Sequence, residues 1–218
     1  MRWLISLGAI LRDIKIQHTV FALPFAIMSA FLAAEGWPAW DKLFWIFVCL
    51  VGVRSAAMAF NRIVDARHDK LNPRTQGRAL PSGQVGLPAY WAFLLVSSAV
   101  FIFAAGKLNS LALMLSPLAL IIVFFYSLTK RFTWSSHLFL GLALSIAPVG
   151  AWVAIREEIS LISLVLGAAV IFWLAGFDIL YSCLDVANDR KHKLHSVPQR
   201  FGIERALQLA CGSHFVMV

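Results

Sequence analysis

The sequence predicts an all-α fold, a polytopic bundle of helices that crosses a membrane several times. Of the 218 residues, 60% are hydrophobic and only 14% are charged, and the mean hydropathy is +0.78. The apolar residues come in runs of about 20, the length at which a helix crosses the hydrocarbon core of a bilayer. A water-soluble domain of this composition would expose large hydrophobic patches. The lipid bilayer is therefore an expected partner of a single membrane-embedded domain over 1–218.

Six full transmembrane helices and part of a seventh are expected. The apolar run that ends at Leu11 is short and charged residues follow it, which is typical of an interfacial helix rather than a signal peptide. The seventh helix begins near Arg205, and the sequence ends within it at Val218. The six full helices are predicted at 18–36, 40–60, 88–106, 109–128, 136–155 and 159–182.

The basic residues predict the orientation of this bundle. Fifteen of the 19 lysines and arginines fall in the N-terminal segment and in three loops that this topology places on the same side. Only Lys42, Lys107 and Arg156 fall on the other side. The positive-inside rule therefore places the N-terminus and the basic loops in the cytoplasm. The net charge of +8 is accounted for by this topology and by anionic lipid headgroups, so no nucleic-acid partner is predicted.

Two pairs of aspartates stand at the predicted cytoplasmic ends of apolar stretches. Asp65 and Asp69 end the first of these stretches, and Asp185 and Asp189 end the second. A carboxylate near the membrane core costs roughly 2.5–3.5 kcal/mol, so two such pairs indicate a function. The offset between the pairs is 120 residues for both members, which suggests a weak internal repeat with two half-sites that face each other.

Polar residues extend both pairs into stripes. Asn61 lies four residues before Asp65, and Asp178 and Tyr181 precede Asp185 at helical spacing, so each set is expected on one helix face. Oxygen ligands without a cluster of Cys or His favour a hard cation. Mg²⁺ takes one or two carboxylates and completes its shell with water and phosphate oxygens. The predicted metal ligands are Asp65, Asp69, Asp185 and Asp189.

Basic residues follow both stripes and are suited to hold phosphate oxygens. Tyr126 and Lys130, four residues apart, end a further helix on the same side. Arg54 lies within the second helix, seven residues before Asn61, and an arginine inside a membrane helix is a functional candidate by default. The other candidates are Arg74, Arg78, Lys191 and Lys193 for phosphate, and Arg12 and Lys15 for a substrate carboxylate.

Other interpretations stay open from the residues alone. The charges at the helix ends could act only as solvated caps and topology signals. A cation-coupled transporter could use acidic stripes as ion sites, but these lie near the membrane midplane in such proteins, whereas the stripes here end helices. A purely structural membrane protein leaves the paired stripes unexplained.

Three motifs resemble those of the UbiA superfamily of intramembrane aromatic prenyltransferases. The family's Asn-Asp-x-x-Asp-x-x-x-Asp motif is matched by Asn61–Asp69, and the Pro-Arg-Thr segment after it by Asn72–Gly83. The Tyr-x-x-x-Lys and Asp-x-x-x-Asp motifs are matched by Tyr126–Lys130 and Asp185–Asp189. The motifs occur in the family's order, and the resemblance covers essentially the whole chain.

Two departures from the family pattern are visible. Arg62 stands where the family has the first Asp of its first motif, and a guanidinium cannot bind a metal ion. The family has eight or nine helices, whereas this sequence ends within its seventh. A domain truncated at its C-terminus is therefore expected.

The resemblance implies a Mg²⁺-dependent enzyme of the bacterial inner membrane. Such an enzyme transfers a polyprenyl group from polyprenyl diphosphate to an aromatic acid such as 4-hydroxybenzoate, in ubiquinone-type quinone biosynthesis. Met58–Arg62 and Leu194–Gly202 resemble the 4-hydroxybenzoate polyprenyltransferase-like group. Some of its members serve menaquinone synthesis by the futalosine route, so a naphthoate-type acceptor is the alternative.

The resemblance also implies roles for individual residues. The four aspartates of the two pairs would be catalytic and would bind the metal. Arg54 and Asn61 would orient the aromatic acceptor. The implied substrate-binding residues are Arg54, Asn61, Arg74, Arg78, Tyr126, Lys130, Asp178 and Tyr181.

Overall fold

The computed structural model describes residues 2–15, 21–192 and 194–218, with the side chains of residues 2–5 and 188 left out. Every regular element in these ranges is helical. The helices are α1 (Arg2–Asp13), α2 (Leu23–Ala34), α3 (Trp40–Asp69), α4 (Leu87–Leu108), α5 (Ser110–Thr129), α6 (Ser136–Arg156), α7 (Leu161–Ser182), α8 (Val186–His192), α9 (Val197–Phe201) and α10 (Ile203–Met217), with a 3₁₀ turn at Cys183–Asp185.

The predicted polytopic helical bundle is confirmed. Within the described ranges, five helices (α3 to α7) are long and apolar enough to cross a membrane. The first predicted span, 18–36, is represented by α2, an apolar helix of 12 residues; positions 18–20 of that prediction lie outside the described residues. Glu35 ends α2 in a left-handed conformation with φ 52°.

The first acidic stripe lies on one uninterrupted helix. The prediction placed the end of this helix near residue 60, but α3 continues to Asp69 and has 30 residues. At 1.5 Å per residue its length is about 45 Å, which exceeds the hydrocarbon thickness of a bilayer, about 30 Å. The last turns of α3, from Asn61 onward, therefore extend beyond the apolar part of the helix.

The spacing predicted that the second acidic stripe lies on one continuous helix, and this prediction is wrong. Helix α7 ends at Ser182, and the backbone tightens into a 3₁₀ turn before α8 begins at Val186. The Ser182 hydroxyl donates to the Ile179 carbonyl at 2.7 Å, a side-chain bond that competes with the regular helical pattern. Asp185 and Asp189 are consequently rotated relative to the helix face that a straight α7 would give them.

Close helix packing places the start of α6 beside the end of α7. Gly141 lies so near α7 that a Cβ atom there would be 2.5 Å from the Ile171 carbonyl oxygen. Small residues permit such close approach of membrane helices. His137, one turn before Gly141, is thereby brought against Asp178 near the end of α7. The same end of the bundle carries the last turns of α3 and α5.

Candidate active site

A polar cavity of about 280 Å³ lies at this end of the bundle. Its lining residues come from α3, the loop after it, α5, α6, α7 and α8, together with the short segments that follow α5, α7 and α8. Of the residues expected to form the site, the cavity brings together Asn61, Asp65, Asp69, Arg74, Arg78, Tyr126, Lys130, Asp178, Asp185 and Asp189. The two aspartate pairs, 120 residues apart in sequence, thus line one cavity.

The first aspartate pair is held by an amide and two arginines. Asn61 Nδ2 donates to Asp65 Oδ2 at 3.0 Å, and Arg131 Nη2 lies 3.2 Å from Asp65 Oδ1. Arg78 Nη1 lies 2.6 Å from Asp69 Oδ2. Each carboxylate is therefore oriented and charge-compensated by a guanidinium from another segment.

The second aspartate pair has two different kinds of partner. Arg74 Nη2 lies 2.8 Å from Asp185 Oδ2, so the loop after α3 reaches across to the second motif. The Ser196 hydroxyl donates to Asp189 Oδ2 at 2.8 Å. Burial raises the pKa of Asp189 above its ordinary value, and the hydrogen bond from Ser196 opposes that shift.

Asp178 is paired with a histidine that sequence reasoning did not select. His137 Nδ1 lies 2.6 Å from Asp178 Oδ2, and His137 is only 1% exposed. A single histidine at the start of an apolar helix gives no spacing signal, and its partner lies 41 residues away. Arg131 and Ser196 were not predicted as site residues either, because neither belongs to a regularly spaced set of polar residues.

Arg54 does not line the polar cavity, although its spacing from Asn61 had suggested the same helix face. It lines an adjoining, largely apolar cavity of about 560 Å³ between α3, α5, α6 and α7. Its Nε atom is buried and has no hydrogen-bond partner among the described residues. Tyr126 lines both cavities, so the two spaces adjoin at this side chain.

Several other candidates lie outside both cavities. Tyr181 is 52% exposed, and the Arg74 guanidinium lies 6.0 Å from its ring centroid. Tyr181 and Asp178 both lie on α7, and a separation of three residues places Tyr181 about 60° around the helix axis from Asp178. Arg12, Lys15 and Lys191 are exposed and line neither cavity. Lys193 lies outside the described residues.

Arg62, the departure from the family motif, is buried against the N-terminal helix. Its Nε atom lies 3.5 Å from Asp13 Oδ2, with the two side chains 5% and 6% exposed. The Tyr90 hydroxyl donates to the same Asp13 oxygen. Arg62 Nη1 also donates to Asn61 Oδ1 at 2.9 Å. The Asn61 amide is therefore oriented with its NH₂ group toward Asp65.

The donor set fits a hard divalent cation that is shared with an anionic ligand. Among the residues that the structure describes, no three Asp, Glu, His or Cys side chains form a ready-made metal cluster. The carboxylates instead line one cavity together with arginines and Lys130. Mg²⁺ needs few protein ligands when phosphate oxygens and water complete its shell, and the basic side chains suit those phosphate oxygens.

Known proteins resemble this chain over most of its length. It is 30% identical over 209 residues to the 4-hydroxybenzoate octaprenyltransferase of Vibrio atlanticus, covering 90% of this chain and 74% of that one. It is 32% identical over 185 residues to the protein of the same name from Vibrio vulnificus, covering 84% and 65%. The chain thus spans about two thirds to three quarters of these two relatives.

Solved structures share the fold. The apo structure of a UbiA homolog from Aeropyrum pernix K1 has 39% sequence identity and a TM-score of 0.86, with 93% of this chain and 76% of that chain covered. A UbiA homolog from Archaeoglobus fulgidus, bound to DMAPP and Mg²⁺, has 21% identity and a TM-score of 0.78, with 95% and 74% covered.

A family model also matches the chain from α2 to α10. The model of the UbiA prenyltransferase family matches residues 22–218, which include both aspartate pairs and the Tyr126–Lys130 motif. The chain therefore belongs to the UbiA prenyltransferase family.

Proposed function

We propose that this protein transfers a polyprenyl group from a polyprenyl diphosphate to an aromatic acid, with 4-hydroxybenzoate as the acceptor and Mg²⁺ as the cofactor. The observation that carries this proposal is the junction of two cavities at Tyr126, one polar with four motif aspartates and one apolar with a single arginine. The names of the Vibrio relatives support the choice of acceptor.

The polar cavity is suited to the diphosphate. Mg²⁺, when bound by Asp65, Asp69, Asp185 and Asp189, supplies positive charge that stabilises the leaving diphosphate. Arg74, Arg78 and Lys130 bind its oxygens and stabilise the charge that develops as the allylic C–O bond breaks.

The aspartate–arginine pairs can exchange their partners when the diphosphate and its cation bind. Without ligand, Arg74 and Arg78 neutralise Asp185 and Asp69, which limits the cost of gathering like charges in a small cavity. A diphosphate and its cation would provide new counter-charges for both members of each pair. The arginines would bind phosphate oxygens, and the carboxylates would bind the metal. Every one of these carboxylates and guanidinium groups therefore keeps a counter-charge.

The apolar cavity is suited to the organic parts of both substrates. The isoprenoid chain lies among its aliphatic side chains. Arg54 binds the carboxylate of the aromatic acid through its guanidinium, whose Nε atom has no hydrogen-bond partner among the described residues. Asn61 and Tyr126 position the ring at the junction. The allylic carbon then forms a bond to the ring carbon beside the phenol hydroxyl, and that carbon gives its proton to the released diphosphate as aromaticity returns. The apolar walls exclude water, which would otherwise capture the cation.

The location of the polar cavity favours an enzyme over a transporter. The cavity lies where α3, α5 and α7 end, together with the basic loops, and not at the middle of the spans. By the positive-inside rule this end faces the cytoplasm, where soluble aromatic acids and diphosphates occur. The protein would then be a multi-pass protein of the bacterial inner membrane.

The direct test supplies candidate substrates to the protein in membranes. Membranes that contain the protein are incubated with Mg²⁺, a polyprenyl diphosphate and either 4-hydroxybenzoate or a naphthoate-type acid, and the products are identified by mass spectrometry. The proposal expects prenylated 4-hydroxybenzoate and released diphosphate. Prenylation of the naphthoate-type acid alone would assign the protein to menaquinone synthesis, and cation flux without diphosphate release would indicate a transporter.

A further inference from the structure

The carboxylates around the polar cavity fall into two classes by partner. Asp178 and Asp189 accept hydrogen bonds from neutral groups, His137 Nδ1 at 2.6 Å and Ser196 Oγ at 2.8 Å. Within the described ranges, no lysine or arginine nitrogen lies within 4.0 Å of either carboxylate. The carboxylates that do pair with an arginine are those of Asp65, Asp69 and Asp185.

Two hydrogen bonds hold the ring of His137. The backbone N–H of Val197 donates to His137 Nε2 at 3.2 Å, so Nε2 carries a lone pair. A neutral imidazole has its proton on the other nitrogen, and Nδ1–H therefore donates to Asp178 Oδ2. Because His137 is almost completely buried, these two bonds hold its ring from both sides.

One short segment of the chain contains Ser196 and also donates a hydrogen bond to His137. Residues 194–197, here termed the strap, follow α8 and end at the first residue of α9. Leu194 N–H donates to the Asp189 carbonyl at 2.9 Å, and His195 N–H donates to the Lys130 carbonyl at 2.8 Å. The next two residues of the strap supply the Ser196 hydroxyl to Asp189 and the Val197 N–H to His137. One segment therefore fixes the orientation of two carboxylates.

Neutral donors and arginines have different consequences for a bound cation. An arginine neutralises its carboxylate and must move before a metal ion can use that oxygen. A neutral donor orients the carboxylate and leaves its charge available, which is how residues behind a metal site commonly act on its ligands. We propose that His137 and Ser196 are positioning residues that, joined by the strap, hold Asp178 and Asp189 toward the polar cavity, where these two carboxylates attract the divalent cation. The identity of that cation rests on the proposed function.

Substitutions at His137 can separate its two hydrogen bonds. The amide of His137→Asn reaches the Nδ1 position and can still donate to Asp178. The amide of His137→Gln reaches the Nε2 position, so it can accept from Val197 but loses the bond to Asp178. His137→Leu removes both bonds at similar volume, and Ser196→Ala removes the donor to Asp189.

Matched controls are available outside both cavities. His214→Gln alters a histidine that bonds the Trp173 carbonyl between α7 and α10. Ser163→Ala removes a fully buried hydroxyl from the N-terminal cap of α7. Neither side chain lines either cavity.

The experiment measures binding of Mn²⁺, a spectroscopic substitute for Mg²⁺, to purified protein in lipid nanodiscs without substrate, by electron paramagnetic resonance. The unfolding temperature of each variant is measured in parallel. The Kd for Mn²⁺ is expected to rise about tenfold in His137→Leu, His137→Gln and Ser196→Ala. It should stay close to the wild-type value in His137→Asn and in both controls.

Two results would overturn the inference. One is an unchanged Kd for Mn²⁺ in His137→Leu and Ser196→Ala. The other is an equal loss of affinity in all three His137 variants that tracks their unfolding temperatures, because this pattern indicates a packing role. The expected Mn²⁺ pattern without any prenyl transfer would support this inference and contradict the proposed function, so the two failures are distinguishable.

Discussion

Arg62 has a structural role at the position where the family pattern has an Asp. Its guanidinium pairs with Asp13 of α1 and orients the Asn61 amide, so that Asn61 presents its NH₂ group to Asp65. The residue that departs from the family's metal-binding pattern thus becomes a structural link between α1 and the first aspartate motif. Sequence alone predicted only that position 62 does not bind metal, because the partner lies 49 residues earlier.

The Asp13–Arg62 pair makes a direct prediction for stability. Asp13→Ala leaves the Arg62 charge buried without its partner, which is expected to cost about 3–5 kcal/mol and to lower the unfolding temperature. Asp41→Ala, at an exposed position in the first turn of α3, is the control and should be nearly neutral. Equal unfolding temperatures for the two variants would contradict a structural role for the pair.

Arg54 makes a prediction for substrate specificity. Arg54→Ala removes the proposed partner of the acceptor carboxylate, and the loss of a charged hydrogen bond corresponds to about a tenfold to hundredfold rise in KM for the aromatic acid. The KM for the prenyl diphosphate should change little. Steady-state kinetics with each substrate varied in turn will measure this, and an equal rise in both KM values would contradict the assignment.

Helix ends are the elements that the sequence predicted least well. Runs of apolar residues located α3 to α7 because a membrane imposes a length on them. The same runs could not show that α3 continues nine residues beyond residue 60, since its last turns are polar and lie past the apolar part. They also could not show the break after Ser182, because the spacing of Asp178, Asp185 and Asp189 fits a straight helix equally well.

The contact between α6 and α7 makes a prediction at this scale. Gly141→Ala would place a Cβ atom 2.5 Å from the Ile171 carbonyl oxygen, and relieving this overlap is expected to cost about 1–3 kcal/mol. Gly150→Ala in the same helix meets no atom within 4 Å and should be neutral or slightly stabilising because alanine favours helices. Thermal unfolding compares the two, and an unaffected Gly141→Ala variant would mean that the helices do not pack this closely.

At the scale of the whole molecule, the internal repeat in the sequence predicted that the two aspartate pairs lie close together. Equal offsets of 120 residues and a shared side of the membrane were enough to predict that the pairs face each other. The division into a polar and an apolar cavity was not predictable, because it depends on how α5 and α6 place Tyr126 and on which cavity Arg54 lines. The neutral donors His137 and Ser196 were also missed, since isolated polar residues carry no periodic signal.

The most direct test of a metal-dependent site built from both halves compares aspartate variants in one transfer assay. Wild-type protein, Asp65→Ala, Asp185→Ala and the control Asp41→Ala are incubated in membranes with a polyprenyl diphosphate and 4-hydroxybenzoate, with Mg²⁺ or with excess EDTA. Wild type and Asp41→Ala should form prenylated product only with Mg²⁺. Asp65→Ala and Asp185→Ala should each lose activity by about hundredfold or more. Near-normal turnover in both of these variants, or full activity in EDTA, would contradict the account.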